Sequence, residues 1–233
     1  MPLYDLSPIV TPETPHWPGD QDFTRAERWR IADGSSVNVG TVTTTSHIGA
    51  HIDAPAHVVD GAATAEAIPL DACIGDCLVL DVADLVDRTN IPHGPAPVAA
   101  IRARIAQLLQ RTQQTAPAHP AAASAAQMTV ERVLLRHRSA PGNDWLPDSP
   151  GLDPEFVTWF AGQGGRLIGI DIDSFDPLTS KGLPAHHAAI AGGVVMLEGL
   201  ALAAVPEGVG DLAALPVAWA GADAAPVRAV LRT

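Results

Sequence analysis

The sequence predicts a single-domain α/β fold over residues 1–233, with a mixed β-sheet core and flanking helices. Two patterns carry that expectation. Cys77–Val82 is a short, almost wholly apolar run, as is Val133–Leu135 within Val130–Arg136, and such runs read as strands covered on both faces. A helix-then-strand pattern occurs at residues 153–172 and, more loosely, at 186–197. With 47% hydrophobic residues in 233, the chain can bury a sizeable core, which rules out a disordered protein.

Taken in order, residues 36–45 are rich in β-branched side chains and read as a strand that delivers His47 at its end. Cys73 and Cys77 precede the next strand; with no second pair in the chain they are expected to be buried free thiols. Val98–Gln113 carries Ile101, Ile105, Leu108 and Leu109 at helical spacing, with Arg102, Arg104 and Arg111 on other faces. Gln113–Ala126 has too few large apolar residues to pack and is expected to be a mobile loop. Asp153-Pro154-Glu155 supplies an N-cap, a first-turn proline and a first-turn acid for a helix that Gly164-Gly165 closes, and a strand over Leu167–Ile172 follows directly. His186–Ala191, Gly192-Gly193 and Val194–Leu197 repeat the pattern.

The formal charge of −12, from 26 acidic and 14 basic residues, argues against nucleic acid or an anionic membrane as partner. No apolar run approaches the roughly 18 to 20 residues that span a bilayer, and the N-terminus lacks the basic start of a signal peptide. The expected setting is the cytoplasm, and the expected partner a small molecule.

His47-Ile48-Gly49-Ala50-His51-Ile52-Asp53-Ala54-Pro55-Ala56-His57 holds three histidines and an aspartate. A lone histidine is more often an ordinary hydrogen-bonded residue. So many costly polar groups beside core strands need a compensating interaction, and a divalent metal supplies one. The spacing leaves open whether the segment is helical or extended.

A second cluster, His186-His187, is followed by Glu198 inside an apolar strand. A carboxylate there requires either an arginine partner or a metal. Together His47, His51, Asp53, His186 and Glu198, with His57 and His187 nearby, exceed what one tetrahedral zinc needs. The set predicts a two-metal site that activates water for hydrolysis of an amide or ester. No G-x-S-x-G elbow points to a serine nucleophile instead. Spacing alone does not separate His57 as ligand from His57 as proton shuttle.

Two further stretches are ambiguous. Asp171, Asp173 and Asp176 sit at a strand exit, where caps and turn formers are the simpler reading and metal or substrate binding the other. His16-Trp17-Pro18-Gly19-Asp20 reads as a turn whose indole either packs or forms a flat wall for an aromatic substrate.

The pattern His47-x-Gly49-x-His51-x-Asp53-x-Pro55-x-His57 resembles the signature of the metal-dependent cyclase-like hydrolases. Ala50 and four further stretches resemble their bacterial kynurenine formamidase (arylformamidase) branch: Tyr4–Pro8, Thr14–Asp20, Ser36–Gly40, and Ser174–Lys181 leading to His186-His187. Ala225–Arg232 is also similar, whereas Pro184 departs from the acidic residue expected near that position, and set against that branch the Ala/Pro-rich residues around 88–130 read as a variable insertion. The resemblance implies that His47 and His51 bind one zinc and His186 the other, with Asp53 and Glu198 bridging. It implies His57 as proton donor and acceptor, Trp17 as a pocket wall, and a homodimer. The implied activity is hydrolysis of N-formyl-L-kynurenine to L-kynurenine and formate in tryptophan catabolism, with two Zn2+ per chain and Mn2+ as the other candidate. The alternatives are a related amidohydrolase acting on an isatin-type cyclic amide and a non-catalytic metal-binding protein.

Overall fold

The computed structural model describes residues 1–115, 130–138 and 146–233. Its strands are β1 (Leu3–Asp5), β2 (Thr24–Trp29), β3 (Val39–Thr43), β4 (His51–Asp53), β5 (Ile74–Asp81), β6 (Arg132–Arg136), β7 (Leu167–Ile170), β8 (Val195–Glu198), β9 (Gly208–Ala213), β10 (Ala224–Pro226) and β11 (Val230–Arg232). Among the described residues the helices of eight residues or more are α1 (Val98–Thr115), α2 (Pro154–Gly162) and α3 (Pro184–Gly192). Nine strands form one mixed sheet in the order β1-β11-β9-β5-β6-β7-β8-β4-β10, parallel from β5 to β8 and antiparallel elsewhere. Strands from the two ends of the chain, β1 and β11, lie side by side in it.

Period-two alternation divides the sheet between two cores. In β5, Cys77 and Val79 enter one core while Leu78 and Leu80 enter the other, against α1, α2 and α3. The central strands therefore have no polar face, which is why the sequence shows them as unbroken apolar runs. Cys73 and Cys77 are buried free thiols, as expected.

Helix α2 begins where its signals put it, with Asp153 Oδ1 accepting from the Glu155 N–H at 2.8 Å and Pro154 in the first turn. Helix α1 runs two residues beyond the expected Gln113, and the rest of the supposed loop, 116–126, lies outside the described residues. The strand expected at 36–45 forms at Val39–Thr43 but not in the core sheet. Among the described residues it pairs only with β2, in a separate two-stranded ribbon where Val39 and Val42 are exposed. Its β-branched residues favour the strand, and both strands of the ribbon are exposed along their length. Among the described residues no helix is long and apolar enough to cross a membrane.

Past β8 the chain turns sharply at Gly199, whose φ is +67° and where any Cβ would stand 2.3 Å from the Gly49 carbonyl oxygen. Gly49 itself has φ +58°. Two backbones thus touch where only glycine fits. Gly199→Ala is expected to cost about 2 kcal/mol or more, combining left-handed strain with a backbone clash. The control Gly162→Ala, at an open helical position, should be neutral or stabilising; equal denaturation midpoints for the two variants would contradict the packing described.

Candidate metal centre

The alternation that sends Ile52 and Leu197 into one core turns His51, Asp53, Met196 and Glu198 to the opposite face of β4 and β8. Antiparallel register sets His51 directly across from Glu198. The segment after His47 is therefore a bend leading into a strand, and His47 and His51 do not share a helix. His47 approaches from the bend before β4, His57 from the one-turn helix Pro55–His57 just after it, and His186 from the first turn of α3. Asp176 caps that helix, accepting from the Ala185 and His186 N–H groups at 3.1 and 3.0 Å, with Pro184 in the first turn.

Three imidazoles converge on the two carboxylates. His47 Nδ1 lies 3.0 Å from Asp53 Oδ1, and His51 Nε2 lies 3.5 Å from Asp53 Oδ1 and 3.6 Å from Glu198 Oε2. His186 Nε2 lies 3.5 Å from Asp53 Oδ2 and 3.6 Å from Glu198 Oε1. Each ring is anchored through its other nitrogen: His51 Nδ1 to the Gly49 carbonyl at 2.9 Å, His186 Nδ1 to Asp176 at 2.7 Å, and His47 Nε2 to Asp223 at 3.0 Å. All three anchors accept hydrogen bonds, so each neutral ring presents its lone pair inward, the orientation that metal-ligating histidines receive from their supports.

The inward atoms are not satisfied by the protein. His51 Nε2 and both Asp53 carboxylate oxygens are buried without a well-directed hydrogen bond, the 3.0 Å approach of His47 being poorly aligned for one. Such orphans are costly, and a divalent cation would satisfy them together. Ligating atoms of His51, Asp53 and Glu198 lie within 4.8 Å of one another, as do those of His47, Asp53 and His57. Asp53 is common to both groups, which fits a carboxylate shared by two ions. Among the described residues no arginine pairs with Glu198, the partner considered for it; the Phe175 N–H donates to its Oε1 at 2.8 Å.

The titration behaviour follows from this crowding. Burial disfavours charge on His47 and His186, but the carboxylates beside them overcome it and raise the two imidazoles to about 9 and about 10. Burial, reinforced by the Asp53 charge, lifts Glu198 to about 8, whereas Asp53 is held well below the usual carboxylate range because His186 and His47 outweigh its burial. Burial lowers His51 and His57.

A cavity of about 430 Å³ opens over the cluster, lined by Trp17, His57, Asp173, Lys181 and Asp223 as well as the inward-facing histidines. Trp17 reaches it from a turn closed by the Asp20 N–H to its carbonyl at 3.0 Å. The His57 ring stands 4.2 Å from that of His47, and its Nδ1 lies 3.5 Å from Asp223 Oδ2. His187 is exposed on α3 and does not join. Asp171 accepts from the His137 and Arg138 N–H groups and serves as a cap, whereas Asp176, read as a turn former, holds His186. Asp223 carried no local signal.

The sequence profile of the Cyclase family matches residues 4–177. The chain belongs to the Cyclase family. Among the curated relatives of this Cyclase-family chain, the kynurenine formamidase of Bordetella avium (strain 197N) is 37% identical over 99% of this chain and 97% of its own. That of Erythrobacter litoralis (strain HTCC2594) is 36% identical over 99% and 93%. A structure described as a predicted metal-dependent hydrolase from Bacillus stearothermophilus superposes with a TM-score of 0.72 at 25% identity, over 99% of this chain and 97% of the other.

If the outer carboxylates aim these rings at a cation, Asp176→Asn and Asp223→Asn should each weaken zinc binding by about 10- to 100-fold. Competition with a chromogenic chelator measures this, and unchanged affinity in both variants would contradict the anchoring role.

Proposed function

We propose that this amide hydrolase cleaves N-formyl-L-kynurenine to L-kynurenine and formate in tryptophan breakdown, using two zinc ions. The observation that carries the reading is the pair of buried carboxylates met by three imidazoles whose outer nitrogens are anchored, at the floor of a cavity with an indole on its wall. Its support from sequence is the full-length similarity to the two kynurenine formamidases. Bound zinc would supply Lewis acidity toward the formyl oxygen and a water acidic enough to ionise near neutral pH.

The chain's own residues perform the rest. His47 and His51 would hold one ion and His186 the other, with Asp53 and Glu198 between them. Nitrogen and oxygen donors of this kind suit zinc, and the carboxylates also suit manganese. Trp17 offers a flat face to the aromatic ring. The bond that breaks joins the formyl carbon to the aniline nitrogen. His57 takes a proton from the attacking water and returns one to that nitrogen as it leaves. Its ring is only partly buried, with 31% of the side chain exposed, and Asp223 lies at its Nδ1, so the other nitrogen is available for transfer. The whole chain acts as one domain in this reading, in keeping with β1 and β11 sharing a sheet, and Ala/Pro-rich residues 88–130 form a variable insertion. We further take the enzyme to be a cytoplasmic homodimer; free buried thiols suit that compartment.

The test is turnover of N-formyl-L-kynurenine by the purified protein, with metal content measured on the same sample. Turnover with about two zinc per chain is expected from the shared-carboxylate geometry. Metal without turnover, or turnover only of an isatin-type cyclic amide, would overturn the substrate. His57→Ala should retain zinc and lose about 10²- to 10⁴-fold in kcat, as for a general acid or base; loss of zinc would make His57 a ligand. Asp53→Asn and Glu198→Gln should both lose metal, and full occupancy in either would refute the two-ion arrangement.

A further inference from the structure

Of the fourteen basic side chains, thirteen are arginine, and the single lysine, Lys181, lines the cavity above the candidate metal centre. It is the only Lys or Arg among the described residues of that lining. It lies in the loop between β7 and α3, next to a turn closed by the Ser180 N–H to the Pro177 carbonyl at 2.8 Å, and five residues before His186. Most of the chain's arginines are spent on internal partners; Arg132, for example, donates to the Ala72 and Asp71 carbonyls. Among the described residues, Lys181 makes no ion pair or hydrogen bond.

Its neighbours on the wall are acids. Asp20, Asp173 and Asp223 line the same cavity, beyond Glu198 at the floor. Each already has a protein donor: Thr45 Oγ1 to Asp20 at 3.2 Å, the Leu146 N–H to Asp173 at 2.9 Å, and Ser46 Oγ to Asp223 at 2.8 Å. A wall of this kind repels a ligand carboxylate unless a cation stands among the acids, and it attracts an ammonium. A kynurenine-type substrate carries both. Its formamide is ortho to a ketone chain that ends in an α-ammonium and an α-carboxylate. With the formamide at the floor and the ring against Trp17, that zwitterion lies toward the opening, where the lysine and the outer acids are.

We propose that Lys181 binds the α-carboxylate of the substrate and thereby selects formamides bearing an amino acid over simple formanilides. The proposal rests on the formamidase reading above. Lysine suits the task because its compact ammonium rides on a flexible stem and can follow the ligand from an exposed loop.

The experiment compares the zinc-loaded wild type with Lys181→Met on two substrates, N-formyl-L-kynurenine and 2-formamidoacetophenone, which keeps the ring and ketone but lacks the amino acid. Loss of a charge-assisted contact should raise KM for the first by about 10- to 100-fold with kcat little changed. Turnover of the second should be unaffected, and Lys181→Arg should recover part of the loss. Equal losses on both substrates, or no loss on either, would overturn the proposal.

A second readout does not need turnover. Lys181 is the only side-chain amine, so its acetylation can be followed by peptide mass spectrometry. L-Kynurenine should protect it and 2-aminoacetophenone should not; absence of that difference would overturn the assignment. If the wild type hydrolyses neither formamide, the activity reading fails by itself, and protection still decides whether Lys181 holds an amino-acid carboxylate.

Discussion

Two carboxylates buried side by side, Asp53 and Glu198, set the terms for the rest of this structure. Neither can keep a charge in a core without compensation, and together each makes the other's ionisation harder. The protein answers with imidazoles. Where no cation balances the charge, protons on His47 and His186 do so, which is why those rings are raised so far while Glu198 is driven toward its neutral form. Protons are poor substitutes for cations here, because they leave His51 Nε2 and the Asp53 oxygens without proper partners. A divalent cation would satisfy those atoms together.

Precision in such a site comes from what stands behind the ligands. The outer contacts of His47, His51 and His186 are a carboxylate, a carbonyl and a carboxylate, each able only to accept. They fix which nitrogen faces inward. Asp176 does this while capping α3, so the N-terminus of that helix and the His186 ring are positioned by one group. The close approach of Gly49 and Gly199 brings the strand carrying Glu198 against the turn carrying His47, and the geometry of the centre therefore depends on two positions with no side chain at all.

Charge is distributed in layers through the cavity. The floor carries the acids that a metal would neutralise, and the wall carries acids already engaged by protein donors together with a lone lysine. In the proposed reading, that arrangement would let an acidic protein, which repels an anion as a whole, receive a zwitterion at this cavity. Trp17, which lines the same cavity, would supply the apolar contact between the two layers.

Much of this was legible in the sequence. The apolar runs of β5 and β6 and the capping signals of α2 depend on near neighbours in the chain, and so does the spacing from His47 to His57; local rules suffice for them. The same rules announced Glu198 as anomalous, because a carboxylate in an apolar strand needs a reason. What they did not reach was the supporting layer. Asp223 meets His47 across 176 residues and sits in an unremarkable stretch, and Asp176 looked like turn chemistry because a carboxylate beside proline is common. Nor could β-branched residues at 36–45 tell a core strand from an exposed ribbon, since that depends on which neighbours arrive. The sequence by itself determined which residues are candidate donors, the helix that carries His186, the strand that carries Glu198, and the fold class. Only the tertiary structure decided the register that sets His51 against Glu198 and the carboxylates that aim the rings, because both are contacts between segments far apart in the chain, fixed by packing and not by local preference.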